Sequence, residues 1–517
     1  MEARPLVVVG AGVAGTAAAI EAAKVGVQVT LIDENPVPAA MAGLNVPLFF
    51  GQRFEDALSD RALMMERVVA ANEGLSKAED AGVDIRLGTC VWGAFRNSEN
   101  SRVLDGPQIG LADHERSWMM KYDRLIVAAG SRDLSFGFAG CNLVGAMGAN
   151  GAYSLMSRYD ALAAKRMVVL GSGNLGLNTA KMALDNGIEV AAIVDVAPSV
   201  RGNDALVKTI HAQGVELFSS HTVKEAVGSN GDIESVMLVE IDDDCKPVAG
   251  TEKVITADTI CLAIGLVPNV EILSLLNCDL NFKSELGGYV PSRDDWMRTS
   301  VDNVFVAGDA AGIHDAMFLD RNIARNQGRI AGIAAAESPG AITSGFPPST
   351  GKMSEGQRGT SAFSNASSSP TEVHTLWKRW LRSLANVGGQ DIVVCQCEEV
   401  TRSEIIGLEP PRYLEWGSDQ MSRRSLQTQL KDNPVNPNQV KRLTRAGTGT
   451  CQGRNCREQV ALLLAEESNT DIADVPLSTY RAPLRPLPLN VLWPDDESED
   501  VRNEWPKWFS PNNKVLG

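Results

Sequence analysis

One pattern occurs twice in this chain: a short apolar strand, a glycine turn, then a helix. Residues 6–32 read LVVVGAGVAGTAAAIEAAKVGVQVTLI, which predicts a buried parallel strand at Leu6–Val9, a helix at Val13–Lys24 and a second strand at Gln28–Ile32. Residues 166–194 repeat it as RMVVLGSGNLGLNTAKMALDNGIEVAAIV, with strands at Met167–Leu170 and Glu189–Val194 and a helix from Leu175. The units lie 161 positions apart (171 minus 10, Gly10 to Gly171), too far for a solenoid and suited to two nucleotide domains.

Strands ending in small residues follow each unit, RLIVAAGS at Arg124–Ser131 and TICLAIGLVPN at Thr259–Asn269. A last one, DNVFVAGDAAG at Asp302–Gly312, leads into an Ala/Gly-rich helix running to about Ala336. The expected fold is α/β: a first dinucleotide domain over 1–145 and 266–337, interrupted by a second over 146–265. From 338 to 372 Ser, Gly, Pro and Thr dominate, with too little apolar surface to fold alone, and we read a linker or insertion. An amphipathic helix near Val373–Leu384 opens a small, mainly helical region over 373–478. The tail over 479–517 holds Trp493, Trp505 and Trp508, either an interface anchor or a wrap around its own domain.

In each unit the three glycines have separate tasks: the first allows the tight turn, the second lets a pyrophosphate approach, and the third lets helix and strand pack. These are Gly10, Gly12 and Gly15 in the first unit, where Asp33 ends the second strand and Glu34 follows as the neighbouring candidate for a ribose hydroxyl. A glycine turn alone occurs in many α/β folds; the strand, helix and terminal acid together specify a dinucleotide. The second unit has Gly171, Gly173 and Gly176, but counting suggests a displaced acid. Seven positions separate Gly26 from Asp33, whereas the same step from Gly187 reaches Val194 and Asp195 comes one later. This site is expected to take NAD or another adenine nucleotide, or to be a structural relic.

Charge narrows the partners. With 48 Lys and Arg against 64 Asp and Glu, the net charge of -16 argues against nucleic acid, which needs clustered cations. At 44% hydrophobic and 22% charged residues the chain has the makings of a folded core rather than a disordered one. No apolar run reaches the roughly 18 residues of a membrane span; the stretch Leu6–Ile20 is broken by three glycines. The reading is a cytoplasmic protein.

Nine cysteines include two tight pairs, Cys395 with Cys397 and Cys451 with Cys456; the other five (Cys90, Cys141, Cys245, Cys261, Cys278) are scattered, as buried thiols are. No CxxC or CxxxxC pair precedes Cys395, which excludes disulfide-reductase chemistry at a flavin. Four thiolates suit zinc or an iron-sulfur cluster, and neither pair has the CxxC spacing of zinc knuckles. Between Lys441 and Arg457 stand five cations (Lys441, Arg442, Arg445, Arg454, Arg457) and no acid, with Gly447, Gly449 and Gly453 as backbone donors. Such surroundings favour an anionic [2Fe-2S] cluster over zinc or free thiols.

Four motifs carry a family resemblance. VFVAGDAAG resembles the second flavin motif of glutathione- and thioredoxin-reductase-like flavoproteins, which implies FAD, with Gly308 and Asp309 at its ribityl chain, Ala129 and Gly130 bounding the flavin domain, and Val91 against the adenine. VCQCEEV and TRAGTGTCQGRNC, with YRAPLRPLPL in the tail, resemble the larger subunits of hetero-oligomeric amino-acid dehydrogenases. Relatives of that kind are the larger component of opine oxidase, D-hydroxyproline dehydrogenase, the B component of hydrogen cyanide synthase, dye-linked L-proline dehydrogenase and sarcosine oxidase alpha. The cysteine region resembles the bacterioferritin-associated ferredoxin type of [2Fe-2S] domain.

The resemblance implies an electron-transfer subunit. A smaller FAD-dependent partner oxidises an amino acid, imino acid or opine-like amine at the C–N bond, and electrons leave through the cluster to a quinone or cytochrome. Some members add an FMN at the interface or a third small subunit, and the acceptor can bring the complex to the periphery of the inner membrane. No substrate base stands out in this chain, and its catalytic residues stay unassigned. Departures are PVPAAMAGLNVPLFFGQRF after Asn35 in place of a GGQ-like segment, an insertion near Arg412–Pro437, and IHDAMFLDRNIARNQGR where glycine-rich helix packing usually follows Asp309. His314 in that stretch is read as structural before flavin-contacting. Two rivals remain: a self-sufficient NAD(P)H-dependent ferredoxin- or nitrite-type reductase component, and a non-catalytic nucleotide-binding scaffold subunit.

Overall fold

Both glycine units build the centre of a five-stranded parallel sheet. The computed structural model describes residues 5–37, 53–55, 58, 60–98, 102–337, 370–411, 424–487, 491, 499–500 and 503–504. Residues 338–369 of the expected linker, most of the segment after Asn35, residues 412–423 of the expected insertion, and Trp493, Trp505 and Trp508 lie outside the described residues.

The first sheet runs Val304–Val306, Arg124–Val127, Leu6–Val9, Val29–Ile32, Asp84–Arg86. The second runs Glu216–Phe218, Glu189–Val194, Arg166–Leu170, Thr259–Leu262, Ala146–Gly148, again parallel throughout. In both, the strand before the glycine turn is central, and its uninterrupted apolar sequence is buried because helices or a second sheet cover each face. A short antiparallel pair, Ser131–Asp133 with Leu266–Pro268, lies where the chain leaves the first unit and where it returns.

Helix Asn322–Glu337 packs closely on helix Val13–Lys24. A side chain at Gly328 would place its Cβ 2.0 Å from the Ala14 carbonyl oxygen, and one at Gly332 would sit 2.3 Å from that of Ala18. The glycine packing that the sequence suggested was replaced after Asp309 is therefore kept, at Gly328 near the end of that stretch and at Gly332 one turn later.

The amphipathic helix is longer than expected, spanning Pro370–Gly388, and its stripe of Leu376, Trp377, Trp380, Leu381 and Leu384 is buried. That stripe joins two regions. One unbroken apolar core contains Leu170, Val194 and Leu262 of the second sheet, the tryptophans of this helix, and Ile405, Val440 and Leu464 of the cysteine region. Among the described residues no helix is long and apolar enough to cross a membrane.

Candidate functional site

The first glycine turn is an open cradle. Gly10 has φ +101° and its Cβ would fall 2.1 Å from the Ala128 carbonyl oxygen, while a Cβ on Gly15 would fall 1.7 Å from that of Gly10. Both positions exclude a side chain, whereas a Cβ on Gly12 meets nothing within 4 Å. Gly12 also N-caps the helix with no side-chain hydrogen bond. A free approach to a helix N-terminus is where a pyrophosphate is stabilised by backbone N–H groups and the helix dipole.

The remaining predicted residues gather round this turn. Asp33 directly follows its strand, and Oδ2 accepts from Ala11 N at 2.6 Å while Oδ1 accepts from the backbone and side-chain nitrogens of Asn35, each at 2.8 Å. Gly308, at φ +68°, lies over the same helix, its Cβ position 2.9 Å from Cβ of Ala14. Asp309 beside it accepts from Ser131 Oγ at 2.7 Å, and burial pushes its carboxyl up. The Ala129 and Gly130 carbonyls both accept from Asn269, and Val91 is buried on the neighbouring strand Cys90–Phe95. The chemistry of this set fits a flavin dinucleotide: an open phosphate cradle, an acid at the strand end, and a second acid beyond it.

Glu34 has a different partner. Arg485, in the tail, donates from Nε and Nη2 to its two carboxylate oxygens at 2.9 and 3.1 Å. His314 is buried and its Nδ1 accepts from Ala316 N at 3.2 Å, capping a short turn.

The second turn repeats the first atom for atom at the backbone. Gly10 N donates to Ile32 O and Gly171 N donates to Val194 O, both at 2.7 Å. Ser172 N donates to Asp195 Oδ2 at 2.7 Å, as Ala11 N does to Asp33. The displacement of Asp195 inferred by counting is thus corrected. Between Met167 and Val168 the register against the next strand shifts from Val190 to Ala192, so Ala191 forms a bulge that absorbs the extra residue.

The difference between the sites lies in what surrounds the acid. Asp195 Oδ2 accepts also from Ser172 Oγ at 2.7 Å and from Arg201 Nη2 at 3.1 Å, and Oδ1 accepts from Ala197 N at 3.0 Å. The Arg201 guanidinium lies over the middle glycine, 3.4 Å from where a Gly173 Cβ would be. Among the described residues nothing covers Gly12 in this way.

The four clustered cysteines, from two distant stretches, come together. Cys395 is within interaction range of both Cys397 and Cys456, and Cys397 within range of Cys451. The Cys397 thiol and burial hold the Cys451 thiol well above its ordinary value. Gly447 N donates to Cys395 Sγ at 3.3 Å, and a Cβ on Gly449 would lie 2.5 Å from that of Cys397. Among the described residues no three His, Cys, Asp or Glu side chains are arranged to hold one metal ion. The thiols instead form a chain of neighbouring pairs, and an all-thiol donor set with a backbone N–H on sulfur fits a cluster of more than one iron.

The five expected cations divide. Arg454 and Arg457 are buried, Arg445 pairs with Glu398 at 2.8 Å, and Lys441 reaches the Thr479 carbonyl at 3.5 Å. Arg457 stacks 3.6 Å over the Tyr480 ring and donates to Gln452 O within the cysteine loop. Sequence reasoning missed Ser131, Asn269 and Arg485, whose partners are far away in the chain and leave no local pattern.

The pyridine nucleotide-disulphide oxidoreductase family matches residues 4–340, and the sarcosine oxidase A3 domain matches residues 414–495. The larger component of opine oxidase from Rhizobium meliloti is 26% identical, covering 93% of this chain and 86% of its own. The HcnB component of hydrogen cyanide synthase from Pseudomonas aeruginosa is 26% identical, covering 95% and 98%. The crystal structure of L-proline dehydrogenase from P. horikoshii shares the fold, with a TM-score of 0.56, 17% identity, and coverage of 95% and 79%.

Proposed function

The chain belongs to the pyridine nucleotide-disulphide oxidoreductase family, and from that premise we propose that it is the FAD- and [2Fe-2S]-carrying electron-transfer subunit of a hetero-oligomeric dehydrogenase. The observation that carries this reading is the meeting of Cys395, Cys397, Cys451 and Cys456 in a chain that also bears an open glycine cradle.

In this reading Gly10, Gly12 and Gly15 receive the FAD pyrophosphate, Asp33 orients the adenosine ribose, and Asp309, held by Ser131, orients the ribityl chain. Val91, Ala129, Gly130 and Gly308 shape the rest of that site, while Glu34 serves it indirectly by anchoring the tail through Arg485. When bound, FAD handles electrons in pairs and a [2Fe-2S] cluster handles them singly, which lets a two-electron oxidation feed a one-electron acceptor. The substrate is an amino acid, imino acid or opine-like secondary amine oxidised at its C–N bond on a smaller partner subunit, with a quinone or cytochrome as acceptor. The relatives' names, which mark them as subunits, support a partner. An FMN at the partner interface and a cytoplasmic location belong to the same proposal.

The second site, Gly171, Gly173, Gly176 and Asp195, is proposed to hold an adenine nucleotide without feeding electrons to the flavin. Asp195 is already engaged by Ser172 and Arg201, so a ribose would have to compete for it.

The test is an anaerobic absorbance spectrum of the isolated chain with iron and sulfide assay, before and after NADH. Flavin bands, two irons and no bleaching by NADH are expected. Immediate bleaching would replace this reading with a self-sufficient NAD(P)H reductase, nucleotide without redox-active flavin would replace it with a scaffold, and zinc without iron would remove the cluster.

A further inference from the structure

Strand Ser131–Asp133 is three residues long, and each side chain reaches a different part of the molecule. Ser131 donates to Asp309 at the first nucleotide site, and Asp133 accepts from Asn150 N at 2.8 Å and Gly151 N at 3.2 Å beside the second sheet. Arg132, between them, turns to the cysteine loop. Its Nε donates to the Arg454 carbonyl at 2.9 Å, between Cys451 and Cys456, and its Nη2 donates to Glu458, two residues after Cys456. Its Nη1 reaches Pro268 O at 3.2 Å, Asn269 Oδ1 at 3.1 Å and Glu271 Oε1 at 3.0 Å.

We propose that Arg132 is a positioning residue that registers the four-thiol loop against the flavin-binding strand and, through its charge, tunes the potential at which electrons cross between them. The proposal rests on the FAD and [2Fe-2S] assignment above.

Stability alone does not account for a guanidinium that is 7% exposed. Burying ions costs several kcal/mol each, and well-packed apolar side chains of similar volume often serve stability as well or better. What a buried arginine supplies is geometry, since its planar fork fixes several acceptors at once and a lysine cannot. Here the acceptors belong to the loop carrying two of the thiols and to Asn269, whose own nitrogens hold the Ala129 and Gly130 carbonyls at the flavin site. One side chain therefore ties both sites to a shared frame. Its charge also counts. Arg132 is paired with Glu271 and Glu458, all three little exposed, beside a loop that also carries the buried Arg454 and Arg457, and charges so far from water are weakly screened. With both groups bound, each transfer would take one electron from the reduced flavin and add one to the cluster with no heavy-atom bond made or broken, so the distance and potential difference that Arg132 helps to fix would set its rate.

The full-length chain is purified anaerobically as wild type, R132M, R132K and E458Q. The cluster midpoint potential, the electron paramagnetic resonance spectrum of its reduced form, and the flavin-to-cluster rate after rapid flavin reduction are then recorded. R132M is expected to disfavour cluster reduction tenfold, about 59 mV for one electron, and E458Q to shift it in the opposite direction. R132K keeps the charge and loses the fork, so its potential stays near wild type while its rate falls at least tenfold. Opposite shifts from neutralising partners of one ion pair are not produced by loosened packing. R132K and E458Q read the two effects even if R132M does not fold. A wild-type chain with both cofactors whose variants keep its potential and rate would overturn this inference alone. A wild-type chain without iron would overturn the cofactor assignment and the inference with it.

Discussion

Arg485 holds Glu34 from 451 positions away, donating to each of its carboxylate oxygens. The two side chains are only 12% and 23% exposed, so the pair is partly shielded from water and removing Arg485 takes two charge-assisted hydrogen bonds from the Glu34 carboxylate. We expect Arg485→Ala to lower unfolding stability by about 3 kcal/mol, and the double change with Glu34→Gln to recover part of it. Urea titrations of the single and double variants measure the coupling. Additive effects would mean that the pair is passive.

Gly12 and Gly15 are predicted to fail differently. A Cβ on Gly15 collides with backbone at 1.7 Å, so Gly15→Ala should destabilise the fold by more than about 3 kcal/mol. A Cβ on Gly12 meets nothing within 4 Å among the described residues, so Gly12→Val should leave the melting temperature within a few degrees while flavin content falls at least tenfold. Thermal melts paired with flavin extraction separate the two. Flavin retained at wild-type level in Gly12→Val would move the cofactor away from this turn.

Asp133 gives a pH dependence with a definite sign. Burial pushes its carboxyl from 3.8 up to about 6, against the N–H groups of Asn150 and Gly151 that pull it down. Between those values the unfolded chain has released a proton that the folded chain still holds, so stability falls as pH rises through the window. The size is about 3 kcal/mol. Asp309, raised by burial too, acts in the same direction. Asp133→Asn should flatten the fall between pH 4 and 6, read from denaturant midpoints at half-unit steps. An unchanged profile would show that Asp133 does not hold its proton.

The cysteines are predicted to divide into two classes. Serine at Cys395, Cys397, Cys451 or Cys456 should each remove most of the iron and the visible bands of a cluster, because the four thiols form one connected set. Serine at Cys278, a buried thiol donating to Thr299 Oγ1 at 3.5 Å, should cost stability and leave iron unchanged. Iron per chain, measured for all five, decides it.

The elements legible in the sequence were those encoded locally. The strand Leu6–Val9 and helix Val13–Lys24 fall at the predicted residues, because apolar runs, glycines and helical spacing all lie within one window. The contacts of Cys395 with Cys456 and of Cys397 with Cys451 join stretches more than fifty positions apart, so spacing alone did not show them. Counting failed at Asp195, since nothing in GIEVAAIV distinguishes a regular strand from one bulged at Ala191; only the partner strand defines a bulge. Arg132 and Arg485 were illegible on different grounds. Each is a lone cation among many, and its meaning comes from Glu458 or Glu34, hundreds of positions away. Among the cations around the cysteines, the pairing of Arg445 with Glu398 was not visible in the spacing, because the acid lies 47 positions earlier.

The apolar core that passes from Leu262 through Trp380 to Leu464 has a consequence for how such a chain can be altered or inherited. Truncation before Pro370 would not detach a module; it would take down a wall of the second nucleotide unit and expose Val223 and Leu238 to water. Heated in a calorimeter, the second sheet and the cysteine region should lose their structure in one shared endotherm. A lineage in which Cys395, Cys397, Cys451 and Cys456 drifted would still have to keep the tryptophans, because they roof a face of the nucleotide fold that would otherwise meet water.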